Sequence, residues 1–179
     1  MPNILHSVPA SRITPTEFLA LVEIPAHSKN KYEYDEECQA LILDRILFTS
    51  THYPHNYGFI PRTWGRDDDP LDVLILTSEP VVPQSLLRCA PIGVLEMKDQ
   101  GKFDEKVIAV CLDDPVYMGY KEINELPTHL FEEIRHFFTV YKQLEYGKVT
   151  EIEGFLGRKE AIATIQAAMD RYLEKFFPK

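Results

Sequence analysis

The sequence predicts an α+β fold with a mainly β core, in which a small, mostly antiparallel barrel carries helices on its outside. Three observations lead to this prediction. Strand-sized apolar runs separated by turn residues fill the first two thirds of the 179 residues. From Thr128 onward the apolar period changes to that of a helix. No linker-like stretch separates the two parts, so we expect a single domain over residues 1–179.

The predicted strands are short, and polar turns separate them. Residues 72–77 alternate too little for a half-exposed strand, which predicts a strand buried on both faces. A polar segment at residues 98–105, which contains Gly101, predicts a hairpin loop between two strands. In full, we expect strands at residues 18–25, 40–48, 56–61, 72–77, 86–97, 106–112 and 150–156.

Two main helices are predicted in the last third of the chain. An apolar stripe at helical spacing runs through residues 128–145, with Thr128 as the N-cap and Gly147 beyond the end. A second stripe, which includes Ile162, Ile165 and Met169, predicts a helix over residues 158–176.

Composition limits the classes of partner and the location. The formal net charge of -9 repels nucleic acid and anionic lipid at long range, so we expect neither as a partner. The apolar runs are too short to cross a bilayer, and the first residues lack the apolar stretch of a secretory signal. We therefore expect a cytoplasmic protein.

The most informative segment is the acidic run DDDPLD from Asp67 to Asp72, just before a predicted buried strand. Carboxylates held this close repel one another, which raises their pKa values or demands cations. Hard oxygen ligands suit magnesium, manganese or calcium. An EF-hand loop is a poor alternative, because Ser78 stands where its last Glu would be. The run therefore predicts a site for divalent metal ions.

A second acidic loop and several cations extend this site. Asp99 and Asp104 flank the predicted hairpin loop and can face the same end of the barrel. Carboxylates for magnesium, combined with Lys and Arg for oxyanions, are typical of phosphoryl transfer. The sequence has none of the P-loop, G-x-G-x-x-G, G-x-S-x-G or H-E-x-x-H motifs. The cations that stand in apolar or aromatic contexts are Lys31, Arg45, Lys106 and Lys142.

Together, these motifs resemble those of the soluble family I inorganic pyrophosphatases, particularly the short bacterial type. The resemblance spans most of the chain. The matching segments are EIPA from Glu23, KYE from Lys31, DR from Asp44, YPHNYG from Tyr53, DDDPLD from Asp67 and YK from Tyr141.

The resemblance implies a five-stranded OB-type barrel with flanking helices, and up to four magnesium ions around pyrophosphate, with manganese or zinc as substitutes. By matching position, the ligands of the tightest metal are expected to be Asp67, Asp72 and Asp104. Asp72 is expected to bridge to a second metal, and Asp99 with Asp104 to hold a third.

The remaining implied roles are catalysis and substrate binding. Asp69 is implied as the general base, and Glu33 as the residue that reaches the last metal through water. The implied phosphate contacts are Lys31, Arg45, Tyr57, Lys106, Tyr141 and Lys142, with Glu23 and Tyr53 in an outer shell.

The implied reaction is hydrolysis of inorganic pyrophosphate to two phosphates by direct in-line attack of a metal-activated water. Because short bacterial members are commonly hexamers, the resemblance also implies a homo-oligomer, and a hexamer in particular. The chain departs from the family pattern in the second acidic loop, where Gln100 replaces a Glu and Gly101 comes one position early. We expect the lost negative charge to weaken the third metal site or to alter its pH response.

Two other functions stay open at this point. One is a different metal-dependent phosphohydrolase, which residue types alone do not exclude. The other is a non-catalytic OB-type module that binds phosphate ligands or nucleic acid. The net charge disfavours the nucleic-acid version, since such a groove is normally basic.

Overall fold

The computed structural model describes residues 3–178 and confirms a mainly β fold with two main C-terminal helices. Five strands close into a ring, because the 14-residue strand β6 (Leu86–Asp99) pairs with strands on both of its sides. The strands range from four to 14 residues, so the barrel is not evenly round. In their order around the ring, they are β1 (Phe18–Ile24), β4 (Asn56–Phe59), β5 (Asp72–Leu76), β8 (Lys106–Cys111) and β6 (Leu86–Asp99).

One pair of neighbours in the ring is parallel, although the sequence predicted a mostly antiparallel barrel. An odd number of strands cannot alternate in direction all the way round a closed ring, so at least one pair must be parallel. Here β5 pairs with β8 in parallel, with Asp72 opposite Lys106. These two residues begin their strands, so the acidic run and the second acidic loop meet at the same end of the barrel.

The other strands extend or flank this ring. β7 (Lys102–Phe103) and β9 (Thr150–Gly157) both pair with β6. β2 (Asn30–Asp35) and β3 (Ala40–Ile46) form a separate hairpin. Strand β2 was not predicted from the sequence, because its residues are mainly charged or tyrosine and give no apolar run. The apolar residues of β3 predicted a strand, yet Ile42, Leu43 and Ile46 are exposed on its surface.

The helices are α1 (Ile4–Ser7), α2 (Thr128–Val140) and α3 (Arg158–Phe176). The bounds predicted for α3 are confirmed, but α2 ends before the predicted residue 145. Beyond α2, the amides of Gln143 and Glu145 bond to carbonyls three residues back, so tight turns replace the helix. The predicted N-cap is also wrong, because Pro127 occupies that position and no side chain caps the helix.

The strands β5 and β8 are buried on both faces, as predicted for β5. Alternate side chains of β5 therefore enter two different clusters. Val73 lies in a cluster with Ile165 of α3, whereas Leu74 lies in a cluster with Phe138 of α2. The two helices thus cover opposite faces of the same strands. Within residues 3–178, no helix has the length and apolar character needed to cross a membrane.

Candidate active site

With one exception, the predicted site residues line one cleft of about 260 Å³ at the end of the barrel. Arg45 is the exception and does not line it. Every other predicted residue does: Glu23, Lys31, Glu33, Tyr53, Tyr57, Asp67, Asp69, Asp72, Asp99, Asp104, Lys106, Tyr141 and Lys142.

Three carboxylates converge in this cleft. Oxygen atoms of Asp67, Asp72 and Asp104 all lie within 4.8 Å of one another. Among residues 3–178, no other group of three potential metal ligands is this close. Two loops supply the group, one leading into β5 and one leading into β8. The spacing suits a divalent ion that binds oxygen ligands at about 2.0–2.6 Å.

The acidic loop is shaped by a tight turn around Gly65. The Gly65 amide donates a hydrogen bond to the Asp69 carbonyl oxygen at 2.6 Å, and Asp68 adopts a left-handed conformation with φ of 66°. A Cβ atom at Gly65 would lie 2.5 Å from Oδ1 of Asp67. A larger residue at position 65 would therefore displace the Asp67 carboxylate from its place beside the other two ligands.

The carboxylates in the cleft raise one another's proton affinity, as the sequence predicted. The pKa of Asp67 rises to about 7 because burial removes water and because Asp72 and Asp104 repel its charge. Asp69 is exposed at the cleft mouth, and its pKa also rises to about 7, through partial desolvation and then repulsion by Asp72 and Glu33. Such carboxyl groups hold protons near neutral pH and release them when a cation binds.

Lys106 supplies a positive charge between two of the ligands. Its Nζ lies 2.5 Å from Asp72 and 2.6 Å from Asp104, and the residue is only 3% exposed. Burial alone would lower the pKa of Lys106, but Asp104 and Asp72 outweigh this effect and raise it well above its usual value. The buried ammonium group offsets part of the repulsion within the acidic cluster.

Asp99 provides the clearest sign that the site can accept a further cation. One of its oxygens pairs with Lys142, while the buried Oδ1 has no hydrogen-bond partner. A buried carboxylate oxygen left in this state is energetically costly. A metal ion satisfies such an oxygen, so the donor set of the cleft fits a metal-binding function.

The unusual residues of the second acidic loop form a regular hairpin turn. Gln100 and Gly101 have φ values of 50° and 81°, and Asp99 pairs with Lys102 across the turn. Positive φ at both central residues is the signature of a type I′ turn. Shifting the glycine therefore still leaves Asp99 and Asp104 on the same cleft.

Three buried tyrosines form the apolar wall of the cleft: Tyr53, Tyr57 and Tyr141. Burial raises the pKa of each phenol above its usual value, so all three stay neutral hydrogen-bond donors. The ammonium group of Lys106 lies 5.5 Å from the Tyr57 ring, and that of Lys142 lies 5.3 Å from the Tyr141 ring.

Glu23 lies behind these residues on β1. It is 8% exposed, and its Oε1 accepts a hydrogen bond from the Tyr34 amide at 2.7 Å. Burial, with smaller repulsion from Asp72 and Asp69, raises its pKa to about 8.

Comparison with known proteins agrees with this geometry. The chain matches the model of the inorganic pyrophosphatase family over residues 20–173. It belongs to the inorganic pyrophosphatase family. Soluble inorganic pyrophosphatase 2 of Chlamydomonas reinhardtii is 45% identical over 97% of this chain and 90% of its own length. Soluble inorganic pyrophosphatase 1 of Arabidopsis thaliana is 47% identical over 94% of this chain and 79% of its own length.

Solved pyrophosphatase structures share the fold over nearly the whole chain. The crystal structure of inorganic pyrophosphatase from Thermus thermophilus has a TM-score of 0.91 at 37% identity, and covers 95% of this chain and 98% of its own. The enzyme from Helicobacter pylori has a TM-score of 0.89 at 37% identity, with coverages of 93% and 99%. The fold predicted from the sequence is therefore confirmed.

Arg45 lies beside the cleft and does not line it. Its guanidinium group pairs with Asp44 and, at 3.1 Å, with the buried Glu145, while its Nη2 is buried without a partner. Asp44 in turn lies 3.4 Å from Lys31, which lines the cleft. The contact of Glu145 with Arg45 was not predicted from the sequence, because the two residues are 100 positions apart and no local motif links them.

Proposed function

We propose that this chain hydrolyses inorganic pyrophosphate to two phosphates with Mg²⁺ in the cleft described above. The convergence of Asp67, Asp72 and Asp104 within 4.8 Å carries the proposal, because the cleft opposite them presents cations and neutral phenols. Membership in the inorganic pyrophosphatase family supports the same substrate. The family match favours pyrophosphate hydrolysis over the reactions of other metal-dependent phosphohydrolases.

The residues assigned to the metal offer only carboxylate oxygens, which suit hard divalent ions, and Mg²⁺ is the ion of this class that we propose. Asp67, Asp72 and Asp104 would hold the first ion, with Asp72 shared with a second. Asp99 and Asp104 would hold a third ion, consistent with the unpartnered oxygen of Asp99. Glu33, exposed at the cleft edge, would reach a fourth ion through water. Mn²⁺ and Zn²⁺ are proposed substitutes.

When bound, these ions neutralise charge on the pyrophosphate oxygens and make a water molecule more acidic. Asp69 accepts the proton of the attacking water as that water approaches one phosphorus in line with the leaving phosphate. A pKa raised to about 7 suits a general base that works near neutral pH.

The cationic and phenolic side chains bind the phosphate groups. Lys31 and Lys142 neutralise charge directly, and the buried Tyr57 and Tyr141 donate hydrogen bonds without adding charge. Arg45 joins them only if its side chain turns from Asp44 and Glu145 toward the cleft, and Lys106 stabilises charge from beneath the acidic cluster. Glu23 and Tyr53 support these groups from the outer shell.

We also propose a cytoplasmic homo-oligomer, specifically a hexamer, with neither nucleic acid nor membrane as a partner. Ile42, Ile46 and Phe48 are each about half exposed on or just after β3, and a neighbouring subunit would cover them. Light scattering coupled to size-exclusion chromatography tests the assembly, and a monomeric mass would rule it out.

The activity is tested by phosphate release from pyrophosphate, with and without Mg²⁺, compared with ATP and a polynucleotide. Asp69→Asn is expected to lower the rate by about 10²–10⁴-fold, because the general base is lost. Asp72→Asn removes a shared metal ligand and is expected to lower Mg²⁺ affinity as well as rate. Asp68→Asn is the matched control, since Asp68 belongs to the same acidic run but does not line the cleft.

Two results of this assay would contradict the proposal. Equal rates in the natural chain, Asp69→Asn and Asp72→Asn would overturn the assigned roles. No release of phosphate from pyrophosphate by the natural chain would overturn the reaction itself.

A further inference from the structure

Three residues outside the cleft join the two acidic loops, and we refer to Arg66, Phe103 and Glu105 as the outer latch. Arg66 directly precedes the metal-ligand candidate Asp67, while Phe103 and Glu105 stand on either side of Asp104. None of the three lines the cleft. Each is therefore next in sequence to a residue that would bind metal, without being available to bind it.

The latch is held together by an ion pair and a cation–π contact. Nε of Arg66 lies 3.4 Å from Oε1 of Glu105, whose side chain is only 10% exposed. The Arg66 guanidinium carbon lies 4.9 Å from the centre of the Phe103 ring. On the other side of the hairpin, the ammonium group of Lys98 lies 5.1 Å from the same centre and 2.5 Å from Glu153 of β9. Phe103 is thus an exposed aromatic ring placed between two cations.

Side chains, and not main-chain hydrogen bonds, connect the two acidic loops. Within residues 3–178, no main-chain hydrogen bond outside the strand ladders joins residues 65–71 to residues 99–105. The Gly65 turn closes on Asp69, and the Asp104 amide bonds to Met97 of β6 at 3.0 Å. The second loop is also held by the Gln100 amide, which donates to the Val149 carbonyl oxygen at 2.9 Å, so each loop is fixed to elements other than the opposite loop. The separation of Asp67 from Asp104 depends on the outer latch and on the β5–β8 pair below it.

We propose that Arg66, Phe103 and Glu105 are positioning residues, which hold Asp67 and Asp104 at the separation that divalent metal binding requires. This inference rests on the metal site of the proposed function. Residues that orient metal ligands typically change metal affinity by about 10–100-fold when removed. The latch contacts are partly exposed and hence weaker, so we expect changes of about threefold to tenfold.

Replacing Arg66 by a neutral residue changes metal affinity in opposite directions, depending on whether Arg66 acts through its charge or by positioning the loop. As a cation near the acidic cluster, Arg66 repels a divalent ion, so its neutralisation strengthens metal binding if charge alone matters. If Arg66 positions the loop, the same change weakens binding. Phe103 has no charge, so its replacement reports on position only.

The test is calorimetric titration of Mn²⁺ into the full chain at fixed pH and ionic strength. We expect Arg66→Gln to bind Mn²⁺ about fivefold more weakly and Phe103→Leu about threefold more weakly. Phe103→Tyr keeps the ring and is expected to restore the natural affinity. Lys102→Gln is the matched control, because it neutralises a cation of the same hairpin that has no ion pair among the described residues. Its affinity is expected to be unchanged or slightly higher.

A double variant distinguishes the latch from general charge effects. If Arg66 and Glu105 act through each other, Arg66→Gln/Glu105→Gln binds Mn²⁺ no more weakly than the weaker single variant. Circular dichroism melts confirm that each variant is folded under the titration conditions.

The possible failures are distinguishable. Mn²⁺ binding by the natural chain, with equal or tighter binding by Arg66→Gln, overturns the latch and leaves the metal site standing. Unchanged binding by Phe103→Leu overturns the role of the aromatic ring. No Mn²⁺ binding by the natural chain overturns the metal site, and the latch with it.

Discussion

Replacing Glu23 by Gln is expected to stabilise the metal-free protein at alkaline pH. Glu23 is 8% exposed, and burial is the main reason that its pKa rises from 4.5 to about 8. Between those pH values, the folded chain keeps a proton at Glu23 that the unfolded chain has already released. The free energy of unfolding therefore falls as pH rises from about 4.5 to about 8. Above that range, the contribution of Glu23 to the free energy of unfolding is constant.

The size of the effect follows from the two pKa values. A pKa difference of one unit corresponds to about 1.4 kcal/mol, so a rise from 4.5 to about 8 amounts to roughly 5 kcal/mol. Gln resembles the neutral acid and keeps an oxygen that can accept the Tyr34 amide hydrogen bond. We therefore expect Glu23→Gln to match the natural chain near pH 4.5 and to exceed its free energy of unfolding by roughly 5 kcal/mol at pH 9.

Urea unfolding in the presence of a chelator, at one protein concentration and several pH values, measures this difference. Glu174→Gln is the control, because Glu174 is an exposed residue of α3 and its replacement should cause no such trend. A stability difference between Glu23→Gln and the natural chain that stays constant from pH 5 to pH 9 would refute the reasoning.

Three further predictions concern the acidic cluster. Gly65→Ala places a Cβ atom 2.5 Å from Oδ1 of Asp67, so calorimetry should show Mn²⁺ binding weakened by about tenfold or more. Gly119→Ala, where a Cβ meets nothing within 4 Å, should bind normally, and equal affinities would contradict the steric argument. Lys106→Met leaves two carboxylates without their buried partner. Urea unfolding of the metal-free chain should show that its free energy of unfolding is lower by about 3 kcal/mol. An unchanged free energy of unfolding would contradict a stabilising role of the ion pairs. The pKa of Asp67 is about 7, and a bound metal ion displaces its proton, so Mn²⁺ affinity should fall as pH drops through 7. Calorimetric titrations at pH 6 and pH 8 test this, and equal affinities would contradict it.

The barrel strands were predictable because their signal is local. Continuous apolar runs marked β5 and β8, and the helical period marked α3 to the residue. The end of α2 was not predictable in this way. Leu144 fits the helical stripe, yet it is 68% exposed, because the chain leaves the helix and buries Tyr141 and Lys142 at the cleft instead.

The acidic residues of the site were also visible in the sequence, since most of them stand in two short segments. Their mutual geometry depends on the parallel β5–β8 pair. Ring closure by five strands requires one parallel pair, but no local pattern indicates which pair it is. The contacts of Arg45 with Glu145 and of Arg66 with Glu105 join distant parts of the chain. No spacing rule predicts such pairs before the topology is known.

In the proposed site, carboxylates from two loops bind divalent ions next to the phosphate-binding residues. Anomalous diffraction from a crystal grown with Mn²⁺ and a non-hydrolysable pyrophosphate analogue tests this arrangement. We expect an anomalous peak between Asp67, Asp72 and Asp104, with the analogue extending from it toward Lys31 and Lys142. A fully occupied analogue with no peak among those three carboxylates would contradict it.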